Sequence, residues 1–279
     1  MDLFSRNPPS ADHRIHYGPG KHQFGDLWLP AATRMPPLLV LLHGGWWKSG
    51  YNLAYTGHFA SALRDAGVAV WSLEYRCGGD GGGWPTTFTD VAAGYDYIEK
   101  LAQVYPLDLD RVVAAGHSAG GHLAFWLAGR HHVLAGSPIS EPQPRIPLRA
   151  AIGLAGAVDL QLTIDISGHL TFAHDREEVY TFMGGTPSEQ PERYLAGDPG
   201  HLLPFNIPQL LIQGSDDNQI PPSLPRRWAE KAQAQGDEVT VSIIRGADHF
   251  DVVDPQSRGW PPTQSAILNL LRSLKTSSS

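Results

Sequence analysis

The sequence contains one cysteine and no cluster of basic residues, and each absence excludes a class of protein. Cys77 has no second cysteine with which to form an intrachain disulfide, so the fold depends on its apolar core. The 21 Lys and Arg residues are scattered along a chain with a formal net charge of −7. A nucleic-acid-binding face needs a basic patch, so we expect no nucleic acid partner.

Long apolar runs are also missing from the chain, which bears on membranes and secretion. No stretch approaches the roughly 18 apolar residues that a membrane-spanning helix needs. The N-terminal sequence "MDLFSRNPPSADHR" lacks the apolar core of a signal peptide. We therefore expect a soluble cytoplasmic protein that acts without a membrane. Nothing in the sequence defines an oligomeric state.

Short apolar runs alternate with longer amphipathic stretches along most of the chain. The runs are typical of strands and cover residues 36–45, 67–75, 111–117, 149–156, 207–214 and 238–246. Helical patterns lie near residues 53–66, 87–104, 118–130, 222–235 and 257–274. Continuous apolar strands separated by helices predict an α/β fold with a mostly parallel central sheet flanked by helices. Residues 23–30 predict an antiparallel strand at its start.

Residues 157–206 interrupt this alternation between two predicted strands. An insertion of this length in a compact domain is usually a lid or a binding element, although a surface elaboration without a role is the alternative. We expect a single domain over residues 1–279, with 157–206 as a small lid-like insertion before the next strand.

Ser118 lies between two glycines in "GHSAG" (116–120), directly after an apolar run. Glycines at these positions allow a tight strand-to-helix turn, a nucleophile elbow, that presents the serine hydroxyl at the end of the strand. A serine nucleophile needs a base, and the base needs an orienting acid. His249 follows the last predicted strand, and Asp216 and Asp217 follow the strand before it. This order predicts a catalytic triad at one edge of the sheet, with either aspartate as the acid.

The chain resembles the α/β-hydrolase superfamily, in the branch of small esterases and kynurenine-formamidase-like enzymes. That branch has an HGGxW sequence, here "HGGWW" at 43–47. Its acid lies in an HGxxDxxVP stretch, which "QGSDDNQIP" (213–221) matches with Asp217 at the acid position. Gln213 and Ile220 replace the usual histidine and valine. The resemblance implies an α/β-hydrolase fold with Asp217 as the acid, and Asp216 stays as the alternative.

Attack on a carbonyl creates an oxyanion that needs N–H donors placed in advance. The resemblance implies that Gly44 and Gly45 form this oxyanion hole, with the N–H of Trp46 as a further candidate. The other donor is the N–H of Ala119, at the start of the helix that follows the nucleophile. We interpret His43 as a residue that braces this loop by hydrogen bonding.

Three tryptophans lie in loops near the predicted oxyanion hole and are candidates for the substrate pocket. Trp46, Trp47 and Trp84 either form pocket walls or fill the core. His117 and His122 flank the nucleophile turn, and we interpret them as packing or polar support.

The remaining motifs predict neither a metal nor a cofactor. His13 and His16 form an HxxH pair without an acidic partner at metal-ligand spacing. The glycine-rich stretch 77–85 lacks the spacing and the following lysine of a phosphate-binding loop.

These observations predict a serine esterase whose partner is a small-molecule ester. We expect a carboxylesterase that cleaves short-chain acyl or aryl esters, of the acetyl or feruloyl type, through an acyl-enzyme on Ser118. The first alternative is an arylformamidase that hydrolyses N-formylkynurenine with the same residues. The second is a non-catalytic ligand-binding homologue, which the intact triad and oxyanion loop disfavour.

Overall fold

A computed structural model describes residues 3–140, 144–167 and 175–274 of the chain. The strands of this described part form one eight-stranded sheet in the order β1-β2-β4-β3-β5-β6-β7-β8. They are β1 (His13–His16), β2 (Phe24–Trp28), β3 (Pro37–Leu42), β4 (Ala69–Leu73), β5 (Asp108–His117), β6 (Ala150–Leu154), β7 (Gln209–Gly214) and β8 (Val239–Ile244). β1 and β2 pair antiparallel, as do β2 and β4, whereas all neighbours from β4 to β8 are parallel.

Helices cover both faces of the sheet, as expected for a parallel sheet. They are α1 (Gly57–Asp65), α2 (Thr86–Asp96), α3 (Ile98–Leu101), α4 (Ala119–Gly129), α5 (Leu160–Ser167), α6 (Asp175–Met183), α7 (Pro191–Gly197), α8 (Ser223–Gln233) and α9 (Trp260–Ser273). None of the helices in the described ranges is both long and apolar enough to cross a membrane.

The central strands are apolar along their whole length because both faces of the sheet are buried. In β3, Leu38, Val40 and Leu42 belong to one core cluster. Leu39 and Leu41 point to the opposite face and belong to a second cluster. Side chains alternate between the faces of a strand, so a strand covered on both sides reads as a continuous apolar run.

The predicted fold class and the position of each predicted strand are confirmed. Two local features differ from the sequence prediction. The helix predicted over 87–104 is divided at Tyr97 into α2 and α3. The strand β1 was not predicted, because it is an edge strand with polar side chains and no apolar run. Pairing with β2 supports it, and Arg14 binds Asp26 directly across the two strands at 2.7 Å.

The insertion between β6 and β7 contains α5, α6 and α7, while residues 168–174 lie outside the described part. Asp198, near its end, accepts hydrogen bonds from the N–H groups of Leu160 and Gln161 at 3.0 and 3.1 Å. Asp159 binds Lys231 of α8 at 2.7 Å. Burial and the neighbouring Asp159 raise the pKa of Asp198 to about 7. The bonds of Asp198 therefore hold the two ends of the insertion together, and the ion pair of Asp159 with Lys231 links the insertion to α8.

Candidate active site

Ser118 occupies a sharp turn between β5 and α4, where its backbone is strained. Its φ of 53° and ψ of −121° lie in a region that residues with a side chain rarely adopt. A Cβ atom on Gly116 would lie 1.9 Å from the carbonyl oxygen of Gly120. A Cβ atom on Gly120 would lie 2.2 Å from the carbonyl oxygen of Leu42. Only glycine fits at either position, which is the tight turn that the sequence predicts.

His249 and Asp217 meet beyond the ends of β8 and β7. His249 Nδ1 lies 2.8 Å from Asp217 Oδ2, and both side chains are buried. The other oxygen, Oδ1, accepts the N–H groups of Gln219 and Ile220, each at 2.8 Å. Asp216 is exposed and accepts instead from the hydroxyl of Ser215. The geometry therefore joins His249 to Asp217 and not to Asp216.

Gln213 supports the same carboxylate, a contact that the sequence interpretation missed. Its Nε2 donates to Asp217 Oδ2 at 2.6 Å and to the carbonyl oxygen of Ile220 at 2.9 Å. Gln213 stands where the family pattern has a histidine. Its two hydrogen bonds fix the loop that carries Asp217. The sequence offered one indication of this contact, since Gln213 lies at the end of a predicted strand, four residues before Asp217.

A buried relay connects the glycine loop (residues 43–48), the serine turn (residues 116–120) and the histidine loop, which follows β8 and carries His249. The Gly44 N–H donates to Tyr55 Oη at 2.7 Å, and Tyr55 Oη lies 2.7 Å from His117 Nδ1. His117 Nε2 lies 3.0 Å from the carbonyl oxygen of His249. A carbonyl only accepts, so His117 Nε2 carries the hydrogen and Nδ1 accepts from the Tyr55 hydroxyl. Burial and the neighbouring His249 hold the pKa of His117 well below its usual range, so the ring is neutral.

This relay changes the predicted set of oxyanion donors. The Gly44 N–H is bound to Tyr55 and is therefore not available to a ligand, which corrects its predicted role. Gly45 and Trp46 line the cavity that contains Ser118, and both have a positive φ, of 116° and 50°. Ala119 follows Ser118 at the start of α4.

His43 is fully buried, and its contacts support the glycine loop. Its ring stacks on Tyr75 at 4.3 Å, and its Nε2 lies 3.3 Å from Glu74 Oε1. The Tyr75 hydroxyl donates to the His43 carbonyl oxygen at 2.6 Å. Burial alone would raise the pKa of Glu74, but His43 and two backbone N–H groups lower it on balance. The contacts of His43 agree with its interpretation as a brace.

The cavity at Ser118 has a volume of about 340 Å³ and an aromatic wall. The described residues that line it are Phe4, Gly45, Trp46, Tyr51, Tyr55, His117, Ser118, Gln219, His249 and Phe250. None of these described residues is an Asp, Glu, Lys or Arg, so the cavity suits an uncharged group. The sequence interpretation found Trp46 but missed the other four aromatic residues, which come from three separate segments.

Two of the three candidate tryptophans do not line this cavity. Trp47 is 2% exposed and stacks on Phe182 of α6 at 4.6 Å, so its predicted place in the pocket wall is wrong. Trp84 lines a different cavity of about 940 Å³, with residues 134–138, 189–193, 195 and 196. Its predicted place at the Ser118 pocket is wrong as well. Trp47 is therefore part of the core, and Trp84 is part of the wall of another cavity.

Helix α6 of the insertion contacts the glycine loop through Phe182, which stacks on Trp47. Besides Phe182, Glu178 of α6 forms an ion pair with Lys48. No residue of 157–206 within the described part lines the Ser118 cavity. Its function as a lid stays a prediction.

The family model BD-FAE matches residues 26–231. The chain is 27% identical over 277 residues to Esterase LipC of Mycobacterium tuberculosis, covering 95% of this chain and 65% of that protein. It is 25% identical over 263 residues to the probable isoprenylcysteine alpha-carbonyl methylesterase ICMEL1 of Arabidopsis thaliana, covering 90% of this chain and 54% of that protein. The chain therefore spans between about half and two thirds of these curated relatives.

Two further comparisons cover most of both chains. The Kynurenine formamidase of Drosophila melanogaster is 22% identical over 263 residues, covering 91% of this chain and 79% of that protein. An inhibited Esterase B from Lactobacillus rhamnosis has a solved structure with a TM-score of 0.80 and 18% identity, covering 98% of this chain and 90% of that one. At this identity the structural likeness establishes the shared fold.

The relay predicts that His117 stays neutral between pH 6 and 8, with its hydrogen on Nε2. The reason is that burial and His249 lower its pKa, while the His249 carbonyl accepts only from a protonated nitrogen. Long-range ¹H–¹⁵N NMR across this pH range measures both properties. Tyr55→Phe should shift the His117 Nδ1 resonance and speed exchange of the Gly44 amide. Tyr95→Phe, which removes a hydroxyl bonded to Ile146, should change neither. Protonation of His117 above pH 6 would contradict the relay.

Proposed function

The chain belongs to the BD-FAE family within the α/β-hydrolase superfamily, and we propose that it is a serine hydrolase of carboxylic esters. The observation that supports this proposal is one cavity lined by Ser118 and by His249, with His249 Nδ1 held by Asp217. A strained serine beside a histidine that a buried carboxylate orients is the arrangement that acyl transfer requires.

In the proposed mechanism, His249 Nε2 removes the proton from the Ser118 hydroxyl as Oγ attacks the ester carbonyl. The C–O bond to the alcohol then breaks, and the imidazolium returns the proton to the leaving alkoxide. The acyl group stays on Ser118 until a water molecule, deprotonated by His249, attacks it and releases the acid. Asp217 keeps the Nδ1–H directed at itself and stabilises the imidazolium of both steps.

The proposed oxyanion donors are the N–H groups of Ala119, Gly45 and Trp46. Gly44 acts indirectly, because its bond to Tyr55 fixes the loop that carries Gly45 and Trp46. One donor of this kind typically contributes ~3 kcal/mol of transition-state stabilisation. The N-terminus of α4 adds a favourable dipole at the same point.

Small, uncharged esters with short acyl or aryl groups are the proposed substrates. The volume of about 340 Å³ supports a small group, and the aromatic wall without charged side chains supports an apolar one. Relatives named as an esterase and as methylesterases support ester chemistry.

A second candidate is an arylformamidase, for which the relative named Kynurenine formamidase is the specific observation. The same residues would cleave the C–N bond of a formamide. N-Formylkynurenine carries an ammonium and a carboxylate, and the described lining residues offer neither charge a partner. An ester therefore fits the cavity better.

Covalent labelling tests the proposed nucleophile. A phosphonate or sulfonyl fluoride should inactivate the protein and add one mass increment to the peptide that contains Ser118. Ser118→Ala should take up no label and lose at least about 10⁴-fold in kcat, because attack by the hydroxyl is lost. A label on another residue, or turnover that survives in Ser118→Ala, would contradict the proposal.

The two neighbouring aspartates form a matched pair for testing the acid. Asp217→Asn should reduce kcat by about 10⁴-fold, because an amide no longer holds His249 in the required tautomer. Asp216→Asn should change kcat by about twofold or less, because its side chain is exposed and bonds to Ser215 instead of His249. Steady-state kinetics on one ester measures both, and the reverse order would make Asp216 the acid.

A substrate panel separates the two candidate functions. Phenyl acetate, methyl butyrate and N-formylkynurenine are compared by kcat/KM on the same purified protein. We expect at least one of the esters to be cleaved with the higher kcat/KM, since the cavity offers no partner for the charges of the amino acid. A higher value for N-formylkynurenine would instead assign arylformamidase activity.

A further inference from the structure

An N-terminal segment forms one wall of the candidate active site. Residues 3–9, here called the N-terminal strap, begin with a short 3-10 helix, Leu3–Ser5. Leu3 is 4% exposed and packs into the second core cluster, whereas Phe4 is 46% exposed and lines the Ser118 cavity. The strap therefore brings an aromatic ring to a site that the sheet and its loops otherwise build.

Phe4 makes three aromatic contacts around the cavity. Its ring lies 5.2 Å from that of Tyr55, and 5.2 Å from Phe250 with the two planes at 83°. It also meets Tyr51 edge-on at 6.5 Å. Phe250 directly follows His249, so the ring of Phe4 borders the loop of the proposed base. Together these rings line the cavity with aromatic faces and edges, which are the surfaces that an aryl group contacts favourably.

An ion pair joins the strap to the body of the protein, in addition to the contacts of Leu3 and Phe4. Arg6 binds Asp254 at 2.6 Å, with their side chains 7% and 17% exposed, and this links the strap to the loop after His249. Two further cavities border the strap, one of about 340 Å³ at Pro8 and Pro9 and one of about 290 Å³ at Leu3 to Pro8. Displacing a segment that is flanked by cavities costs less free energy than displacing a strand of the close-packed sheet.

We propose that Phe4 is a specificity-determining residue, and that the strap is an adjustable wall which favours a planar aryl group over a saturated ring of similar size. This inference rests on the proposed ester hydrolysis. The aryl group stacks against the rings of the wall, whereas a saturated ring is thicker and lacks the matching quadrupole. The ion pair between Arg6 and Asp254 holds Phe4 at the distance that this contact needs.

Matched ester pairs test the inference on the chain of residues 1–279. Phenyl acetate is compared with cyclohexyl acetate, and methyl benzoate with methyl cyclohexanecarboxylate, so that the two sides of the scissile bond are examined separately. The quantity measured is the aryl-to-saturated ratio of kcat/KM. Dividing the ratio of each variant by that of the wild type removes the intrinsic reactivity of the esters.

Phe4→Ala should lower this ratio by roughly threefold to tenfold in at least one pair, the scale of one or two aromatic contacts. Asp254→Asn should lower it in the same direction but less, because the strap is loosened and the ring is kept. Leu195→Ala removes another exposed apolar side chain, 53% exposed at the cavity of Trp84, and should leave the ratio unchanged.

The outcomes separate this inference from the proposed function. Unchanged ratios in Phe4→Ala, with Ser118 still labelled by the phosphonate and all esters cleaved, would overturn the role of Phe4 and leave the esterase standing. Equal losses in Phe4→Ala and Leu195→Ala would overturn it as well. Absence of both ester turnover and labelling in the wild type would overturn the proposed function and this inference together.

Discussion

The close approach of backbone at the serine turn is the constraint on which the rest of the candidate site depends. Gly116 and Gly120 let β5 and α4 pass each other, and Gly120 also lies against the end of β3. This packing holds Ser118 in a conformation that it would not adopt alone. Without it, the hydroxyl would not reach the cavity that His249 shares, and no arrangement of the histidine and its aspartate would compensate.

Buried polar bonds then fix the loops around that turn relative to one another. The relay through Tyr55 and His117 links the glycine loop to the histidine loop. Gln213 and two backbone N–H groups hold Asp217 on the other side of His249. All of these bonds except the one from Gln219 are buried, and an unpaired buried partner costs about 1–3 kcal/mol. The same bonds that position the site therefore also resist its distortion.

The segments outside the sheet contribute to the site in unequal ways. The insertion between β6 and β7 packs Phe182 behind Trp47 and supports the glycine loop from the core side. The N-terminal strap, much shorter, supplies Phe4 to the cavity itself. Specificity in this chain is thus proposed to depend on the strap, which an ion pair, a buried leucine and the contacts of Phe4 join to the body.

The sequence by itself determined the sheet and the order of the candidate triad, because parallel strands buried on both faces leave continuous apolar runs and because their ends share one edge. The sequence could not decide whether Asp216 or Asp217 is the acid, because neighbouring residues in a loop can differ in burial, as these two do. It could not show that Tyr55 occupies the N–H of Gly44 or that Phe4 reaches the cavity. Those contacts join residues that are distant in the chain, and tertiary packing decides them. Such packing leaves no local periodicity in the sequence from which the contacts could be predicted.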